Sequence, residues 1–238
     1  MSVVAQPISG SPIPPPAAPP RPLPGECFVL DGIRWQTYEM ILRDLGEHSR
    51  LRLTYDRGKL QIMSPLPEHE SYSIQLGQFL RVLARAVGAP FKCLGSMTIR
   101  REDLARGLEP DSCFYLAGWP RIRGRRGLDF RTDPPPDLAI EIDVTHSSLD
   151  RLAVYAALGV PEVWRFNGKV FRCYHRNEQG AYEERPNSRA FPFLRVADLV
   201  PFLGPIYDED EDALTQRFQT WVQGQLPPVK DPNAPGPK

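Results

Sequence analysis

The sequence lacks the usual signs of a secreted or membrane-bound protein. In its 238 residues no apolar run approaches the roughly 20 residues that a membrane-spanning helix needs. The N-terminus has no basic start followed by an apolar core, so we predict no signal peptide. The four cysteines are Cys27, Cys93, Cys113 and Cys173. They stand far apart without a CxxC pair, which excludes a thiolate metal site of that spacing and argues against a disulfide framework. We therefore expect a cytoplasmic protein with reduced thiols and no membrane partner.

Several catalytic signatures are also absent. There is no GxxxxGK[ST] motif, which excludes a phosphate-binding loop of the ATPase kind. Ser147 and Ser148 lack a GxSxG context, which argues against a serine hydrolase. His48, His146 and His175 are isolated, without HxxxH or HxH spacing, and we interpret them as surface or helix-end residues. The formal net charge is +0, which argues against indiscriminate nucleic-acid binding but allows a local basic surface.

Proline is abundant and unevenly distributed. Many of the 27 prolines crowd the two ends of the chain, where they favour extended, solvated backbone. We predict disordered tails at residues 1–25 and 226–238 around one domain at residues 26–225. A proline-rich tail can also recruit a partner domain, so an interaction module stays a possible interpretation beside a solubilising extension.

Helical and strand-like segments alternate through the domain. The pattern predicts helices at 35–48, 67–88, 147–159 and 211–224, strands at 95–100, 111–117 and 138–144, and hairpins at Arg57–Gly58 and Asn167–Gly168. The basic segment 118–136 is predicted as a long surface loop. Ser147 or Ser148 is the expected N-cap of the third helix. This order of elements predicts a mixed α/β fold around a central sheet.

Two acids lie inside the apolar strand 138–144. Alternation places Leu138, Ile140 and Ile142 on one face and Glu141 with Asp143 on the other. A buried carboxylate without a partner is costly, and two at roughly 7 Å repel each other. The second face therefore requires solvent or a positive partner, either a metal ion or arginine and lysine side chains. The residue pattern leaves these alternatives open.

A third acid, Asp111, follows Pro110 at the start of the strand-like run 111–117. It lies 30 residues before Glu141, with a long loop between them. An acid at the start of one strand and an acid within its neighbour can converge on one divalent cation. Oxygen ligands of this kind suit Mg²⁺ or Mn²⁺ and not zinc.

Four motifs carry a resemblance to a known family. "SPLPEHE", "EPDSCFYL", "PPDLAIEIDVTHSS" and "YAALGVPEVWRF" resemble, in wording and order, the Uma-two family of restriction-endonuclease-like proteins in the PD-(D/E)xK nuclease superfamily. The similarity covers most of residues 26–200. It implies a restriction-endonuclease-like fold, in which a mixed central sheet is flanked by helices, and a metal-dependent endonuclease that hydrolyses DNA.

The resemblance also assigns roles to residues. Asp111 and Glu141 would bind Mg²⁺ or Mn²⁺, which lowers the pKa of a bound water and polarises the phosphodiester. Asp143 would be an auxiliary acid, and Glu70 at the start of helix 67–88 a further carboxylate. Glu70 is equally what an ordinary helix N-terminus contains.

The chain departs from the superfamily pattern at the lysine. Asp143 stands two residues after Glu141, where the superfamily has lysine, and Arg151 occupies the position of the lysine that the family has on the following helix. Arginine keeps the charge but does not exchange a proton at ordinary pH. Either Arg151 supplies the electrostatic stabilisation, or the protein is a catalytically inactive relative that binds nucleic acid or a protein partner.

The basic loop gives an expectation about DNA. Its arginines are predicted to contact phosphates, although solvated loop charge is the commoner explanation of such a run. The residues concerned are Arg121, Arg123, Arg125, Arg126 and Arg131. Because nucleases that cut both strands often act as two-fold dimers, we also expect a homodimer.

Overall fold

The computed structural model describes residues 23–46, 50–143 and 149–226. Nearly all of the predicted proline-rich tails lies outside these residues, as do His48, His146, Ser147 and Ser148. Within the described parts of the chain, no helix combines the length and the hydropathy that crossing a bilayer demands. The four cysteines are described, and all are free thiols.

Six helices and eleven strands make up the described chain. The helices are α1 (Trp35–Leu45), α2 (Pro67–Ala86), α3 (Trp119–Ile122), α4 (Arg151–Leu158), α5 (Val200–Leu203) and α6 (Glu211–Gln225). The strands are β1 (Cys27–Leu30), β2 (Arg52–Asp56), β3 (Lys59–Met63), β4 (Lys92–Gly95), β5 (Ile99–Arg101), β6 (Arg106–Leu108), β7 (Ser112–Tyr115), β8 (Leu138–Ile142), β9 (Glu162–Phe166), β10 (Phe171–Arg176) and β11 (Tyr182–Arg185).

The strands form two sheets. A six-stranded sheet has the order β11-β10-β9-β8-β7-β4. It is mixed, because β8 and β9 run parallel while its other neighbours are antiparallel. Helix α4 makes the crossover between the two parallel strands, as such a connection requires. The second sheet is five-stranded, antiparallel throughout, and has the order β1-β3-β2-β6-β5.

Three apolar clusters fix how these layers pack. One face of β8, with Leu138, Ile140 and Ile142, packs under α2 and α6. The other face, through Ala139, joins residues of α4 and of the five-stranded sheet, so α4 lies between the two sheets. Helix α1 covers the far face of the five-stranded sheet, where Trp35 and Tyr38 are buried. The second face of β8 is therefore enclosed by protein.

The mixed α/β class and the mixed central sheet are confirmed, as are the two hairpins. The single strand predicted at 95–100 is wrong, because β4 and β5 belong to different sheets. The predicted loop 118–136 contains α3, and its Phe130 and Asp133 are buried. The second sheet, with its short strands β1 and β6, was not predicted.

The start of α4 also corrects a prediction. The helix begins at Arg151 and not at residue 147. Its N-cap is Asp150, whose carboxylate accepts the backbone N–H of Ala153 at 3.2 Å. Aspartate is among the preferred N-cap residues because its oxygen satisfies a free N–H of the first turn.

Candidate active site

Asp111 and Glu141 face each other on neighbouring strands. β7 and β8 pair antiparallel with Ser112 opposite Ile140, and this register sets Asp111, just before β7, opposite Glu141. Asp111 Oδ2 accepts the backbone N–H of Ile142 at 2.7 Å. Both side chains are buried, with 8% and 4% exposure. Two acids that are 30 residues apart in sequence are thus brought together.

Helix α4 supplies the partners of Glu141. Arg151 Nη2 donates to Glu141 Oε1 at 2.6 Å, and the Tyr155 hydroxyl donates to the same oxygen. Residues four apart on a helix share a face, which explains why Arg151 and Tyr155 reach one carboxylate. The guanidinium also donates to Thr54 Oγ1 and, at 2.8 Å, to the carbonyl of Glu109. Arg151 therefore ties α4 to both sheets.

Burial dominates the protonation of the two acids. It raises the pKa of Asp111 to about 6, against the opposing effect of the Ile142 N–H and the Arg151 charge. It raises the pKa of Glu141 to about 7, although the Arg151 guanidinium acts in the other direction. The Asp111 carboxylate also raises the pKa of Glu141, and the Asp143 carboxylate raises the pKa of both acids. Both acids are therefore able to bind a proton near neutral pH.

Asp143 and Glu70 occupy different surroundings. Asp143 Oδ2 accepts from Arg165 Nε at 2.5 Å, and Arg165 lies opposite Glu141 in the parallel register of β8 and β9. Asp143 is thus paired at the edge of the cluster. Glu70 is exposed on the first turn of α2 and forms no hydrogen bond or ion pair with the described residues. The roles predicted for both stay predictions.

His69, between two exposed glutamates, is the residue of the first turn of α2 that points inward. Its side chain is 2% exposed, and the charges of Glu141 and Asp143 both act on the ring. His69 is part of the motif "SPLPEHE", and the sequence pattern alone assigns it no catalytic role. Tyr155 could have been found from its spacing to Arg151, but nothing in the sequence indicates Thr54 or Arg165.

One oxygen of Asp111 and one of Glu141 have no partner among the described residues. Asp111 Oδ1 and Glu141 Oε2 accept no hydrogen bond from any described residue, since the bonds to these acids use the other oxygen of each. Two carboxylate oxygens on facing strands are the hard ligands that Mg²⁺ and Mn²⁺ prefer. Arg151 occupies one oxygen of Glu141 and leaves the second available.

A cleft of about 770 Å³ is lined by residues of α1 and β2 and of the segments 94–100 and 126–130; Asp111, Glu141 and Arg151 are not among its lining residues. Its lining includes Arg43, Arg52, Arg100 and Arg126. It also includes Glu109, whose carbonyl binds Arg151. The Arg52 charge lowers the pKa of Asp111, so the cleft and the acids are electrostatically coupled.

The predicted phosphate contacts divide into two groups. Arg125 pairs with the buried Asp133 at 2.8 Å and Arg131 with Asp129 at 2.7 Å, so these two support the fold of the loop. Arg121, Arg123 and Arg126 are exposed, and none of them forms an ion pair with the described residues. Of the five arginines predicted to contact phosphates, Arg126 lines the cleft.

A second group of metal-ligating side chains lies on β9 and β10. The ligand atoms of Glu162, Cys173 and His175 all lie within 4.8 Å of one another. The Glu162 carboxylate already accepts from Trp164 Nε1, from the Cys173 thiol and from the backbone N–H groups of Arg189 and Ala190. These four donors assign Glu162 to anchoring the segment 188–191. His175 lies within β10 and is partly buried, so its interpretation as a surface or helix-end residue is wrong.

The mixed sheet, with acids facing each other on adjacent strands and a cation supplied by the crossover helix, defines a restriction-endonuclease-like protein. Residues 35–204 match the family model of Uma2, whose description is "Putative restriction endonuclease". The chain belongs to this family, which confirms the resemblance.

Comparison with other proteins adds one structure. The chain is similar to "a putative nuclease belonging to DUF820 from Anabaena variabilis ATCC 29413", with a TM-score of 0.45 and 18% identity, covering 63% of this chain and 90% of that chain. No curated protein matches the chain.

Proposed function

We propose that this protein is a divalent-metal-dependent endonuclease that hydrolyses DNA phosphodiester bonds at Asp111 and Glu141. The observation that carries the proposal is the pairing of these two buried acids across β7 and β8, each with one oxygen that no described residue binds. Membership in a family described as a restriction endonuclease supports the same reaction class.

The acid pair Asp111 and Glu141, Arg151, and Asp143 would each have a different role in hydrolysis. Asp111 and Glu141 would hold Mg²⁺ or Mn²⁺, which when bound supplies Lewis acidity and lowers the pKa of the attacking water. Arg151 keeps a fixed positive charge beside Glu141 at 2.6 Å, where it would stabilise the negative charge that develops on the phosphate. Its buried Nε–H has no acceptor among the described residues and is a further donor for a substrate oxygen. Asp143, held by Arg165, would serve as an auxiliary acid.

The arginine-lined cleft is the proposed route of the DNA strand. Phosphate contacts by arginine position a nucleic acid without reading its sequence. Arg43 and Arg126 both line the cleft and would bind the strand, and Arg52, a third lining residue, carries a charge that acts on Asp111. Arg121 and Arg123 extend the positive surface beyond the cleft.

A catalytically inactive nucleic-acid-binding protein is the second candidate. The ion pair between Arg151 and Glu141 favours it, because the guanidinium already neutralises the acid that would otherwise require a cation. This protein would retain the basic cleft and bind DNA without cutting it.

Two broader expectations accompany the proposal. We place the protein in the cytoplasm, in agreement with its four free thiols. We propose a homodimer on the general ground that two-fold assembly lets one nuclease cut both strands. Analytical ultracentrifugation would test the second expectation.

Nicking of supercoiled plasmid DNA tests the proposed function. We expect cleavage by the wild type with Mg²⁺ or Mn²⁺ and none with EDTA. Asp111→Asn and Glu141→Gln should each slow cleavage by at least about 100-fold, because a catalytic cation contributes several kcal/mol and each 1.4 kcal/mol is tenfold in rate. Glu178→Gln, at an exposed acid far along the chain, is the matched control and should cut normally.

The outcomes separate the two candidates. Cleavage that survives in both acid variants would contradict the assignment of the centre. Binding of duplex DNA without any cleavage under all metal conditions would favour the inactive protein.

A further inference from the structure

His69 is a buried histidine with one ring nitrogen engaged. It lies in the first turn of α2, and its Nδ1 accepts the backbone N–H of Leu66 at 3.0 Å. Its Nε2 is buried and has no hydrogen-bond partner in residues 23–46, 50–143 and 149–226. A buried polar atom without a partner costs about 1–3 kcal/mol. Such an atom beside a candidate site indicates that a ligand completes it.

The bond to Leu66 determines what Nε2 can do. A neutral imidazole carries its proton on one nitrogen and a lone pair on the other. Because Nδ1 uses its lone pair for the Leu66 N–H, the proton is on Nε2. Burial lowers the pKa of His69, which keeps the ring neutral. Nε2 is therefore a hydrogen-bond donor, with no lone pair for a cation or for a proton from water.

The ring lies within the field of the acid cluster. Both Glu141 and Asp143 act on its charge, and the same helix reaches the cluster again one turn later, where Ser73 Oγ donates to the Asp111 carbonyl at 3.1 Å. Neither acid accepts a hydrogen bond from Nε2. The donor is thus exposed to the charge of two carboxylates and bonded to neither, which suits a further acceptor that enters the site.

We propose that His69 is a catalytic residue that donates its Nε2–H to a non-bridging oxygen of the phosphate bound at Asp111 and Glu141. The inference rests on the proposed function and adds a substrate contact to it. A fixed donor at a developing negative charge is worth about 100- to 1,000-fold in rate in other enzymes. The same geometry excludes His69 as a metal ligand and as the general base.

Two substitutions separate the proposed hydrogen-bond donation by Nε2 from the structural bond that Nδ1 accepts from Leu66. The amide oxygen of asparagine stands near the position of Nδ1, so His69→Asn keeps the acceptor for the Leu66 N–H and loses the donor. The amide nitrogen of glutamine stands near Nε2, so His69→Gln keeps the donor and loses the acceptor. We expect His69→Asn to be the more stable variant, unfolding at a higher urea concentration than His69→Gln. In single-turnover cleavage of a labelled duplex, however, His69→Asn should be at least tenfold slower than His69→Gln. If the more stable variant, His69→Asn, is also the faster enzyme, the proposal is overturned.

Binding measurements keep this test independent of cleavage. Affinity for a short duplex in Ca²⁺, used so that binding is measured without turnover, should be weaker for His69→Asn than for His69→Gln. Calorimetric Mn²⁺ titration should give the wild-type affinity in both variants. Loss of Mn²⁺ binding in both would make His69 a metal ligand and overturn the proposal. If the wild type binds duplex but does not cut, the proposed function fails, and the order of the two duplex affinities still decides the role of His69.

Discussion

At the scale of single residues, the most important side chain is Arg151, because it contacts both sheets. It is 8% exposed, and one guanidinium contacts Glu141 on the six-stranded sheet and Thr54 and the Glu109 carbonyl beside the five-stranded sheet. A lysine at this position has one compact ammonium and does not reproduce this planar set of donors. The arginine is therefore structural as well as electrostatic, whatever its effect on rate.

Removing that charge should be costly. Arg151→Met leaves Glu141 buried without its cation, and we expect the free energy of unfolding to fall by about 3–5 kcal/mol. Adding Glu141→Gln should restore part of the loss, since the carboxylate that Arg151 pairs with is then replaced by a neutral amide. Urea unfolding of the two single variants and the double variant measures this coupling. Arg172→Met, at an exposed pair with Glu184, is the control and should change stability by less than about 1 kcal/mol. Additive losses at positions 141 and 151 would contradict the account.

The raised pKa values of Asp111 and Glu141 lower the stability of the protein as the pH rises, which is the opposite of the usual effect of acidic side chains. The pKa values of Asp111 and Glu141 are about 6 and about 7 in the fold, against about 4 in an unfolded chain. Between pH 4 and 7 the folded state binds more protons than the unfolded state, on the order of one per acid, so these groups lower stability as pH rises through that window. Without metal, Glu141→Gln should gain stability relative to the wild type between pH 5 and pH 7.5. A constant difference in urea midpoint across this range would contradict the assigned pKa of Glu141.

At the scale of elements, the sequence predicts some strands and turns well and misses others. The alternation in β8 was enough to assign Ile140 to the core and Glu141 to the opposite face, because the period of two is a property of any strand. Turn chemistry at Arg57–Gly58 was enough for the hairpin of β2 and β3. Strands β5 and β6, with three residues each, are too short to produce a periodic signal, so the second sheet was missed.

Helix α2 illustrates the same limit within the site. The resemblance gives Glu70 a catalytic role at the start of this helix, yet Glu68 and Glu70 are exposed and the buried residue between them is His69. The apolar stripe of α2, which includes Leu76, Leu80 and Leu83, extends back by seven residues to position 69, so the helical period could have indicated that His69 faces the protein. Only the packing of α2 over β8 brings the ring under the influence of the Glu141 charge.

At the scale of the whole molecule, the site exists because α4 lies between two sheets. The local pattern predicted that the face of Glu141 needs a cation, and left metal, solvent and arginine open. The structure supplies Arg151 at 2.6 Å and encloses this face with the five-stranded sheet. Contacts such as Arg151 with Thr54, which are 97 residues apart, depend on the packing of the two sheets and leave no trace in a single sequence.

The most direct test of the central claim, that Asp111 and Glu141 together hold a divalent cation, is a crystal soaked in Mn²⁺ and measured at the manganese absorption edge. We predict an anomalous peak within about 2.0–2.6 Å of an oxygen of each acid, with Arg151 still beside Glu141. The peak should be lost in Asp111→Asn crystals soaked in the same way. No peak between the two acids, or a peak only among Glu162, Cys173 and His175, would contradict the claim.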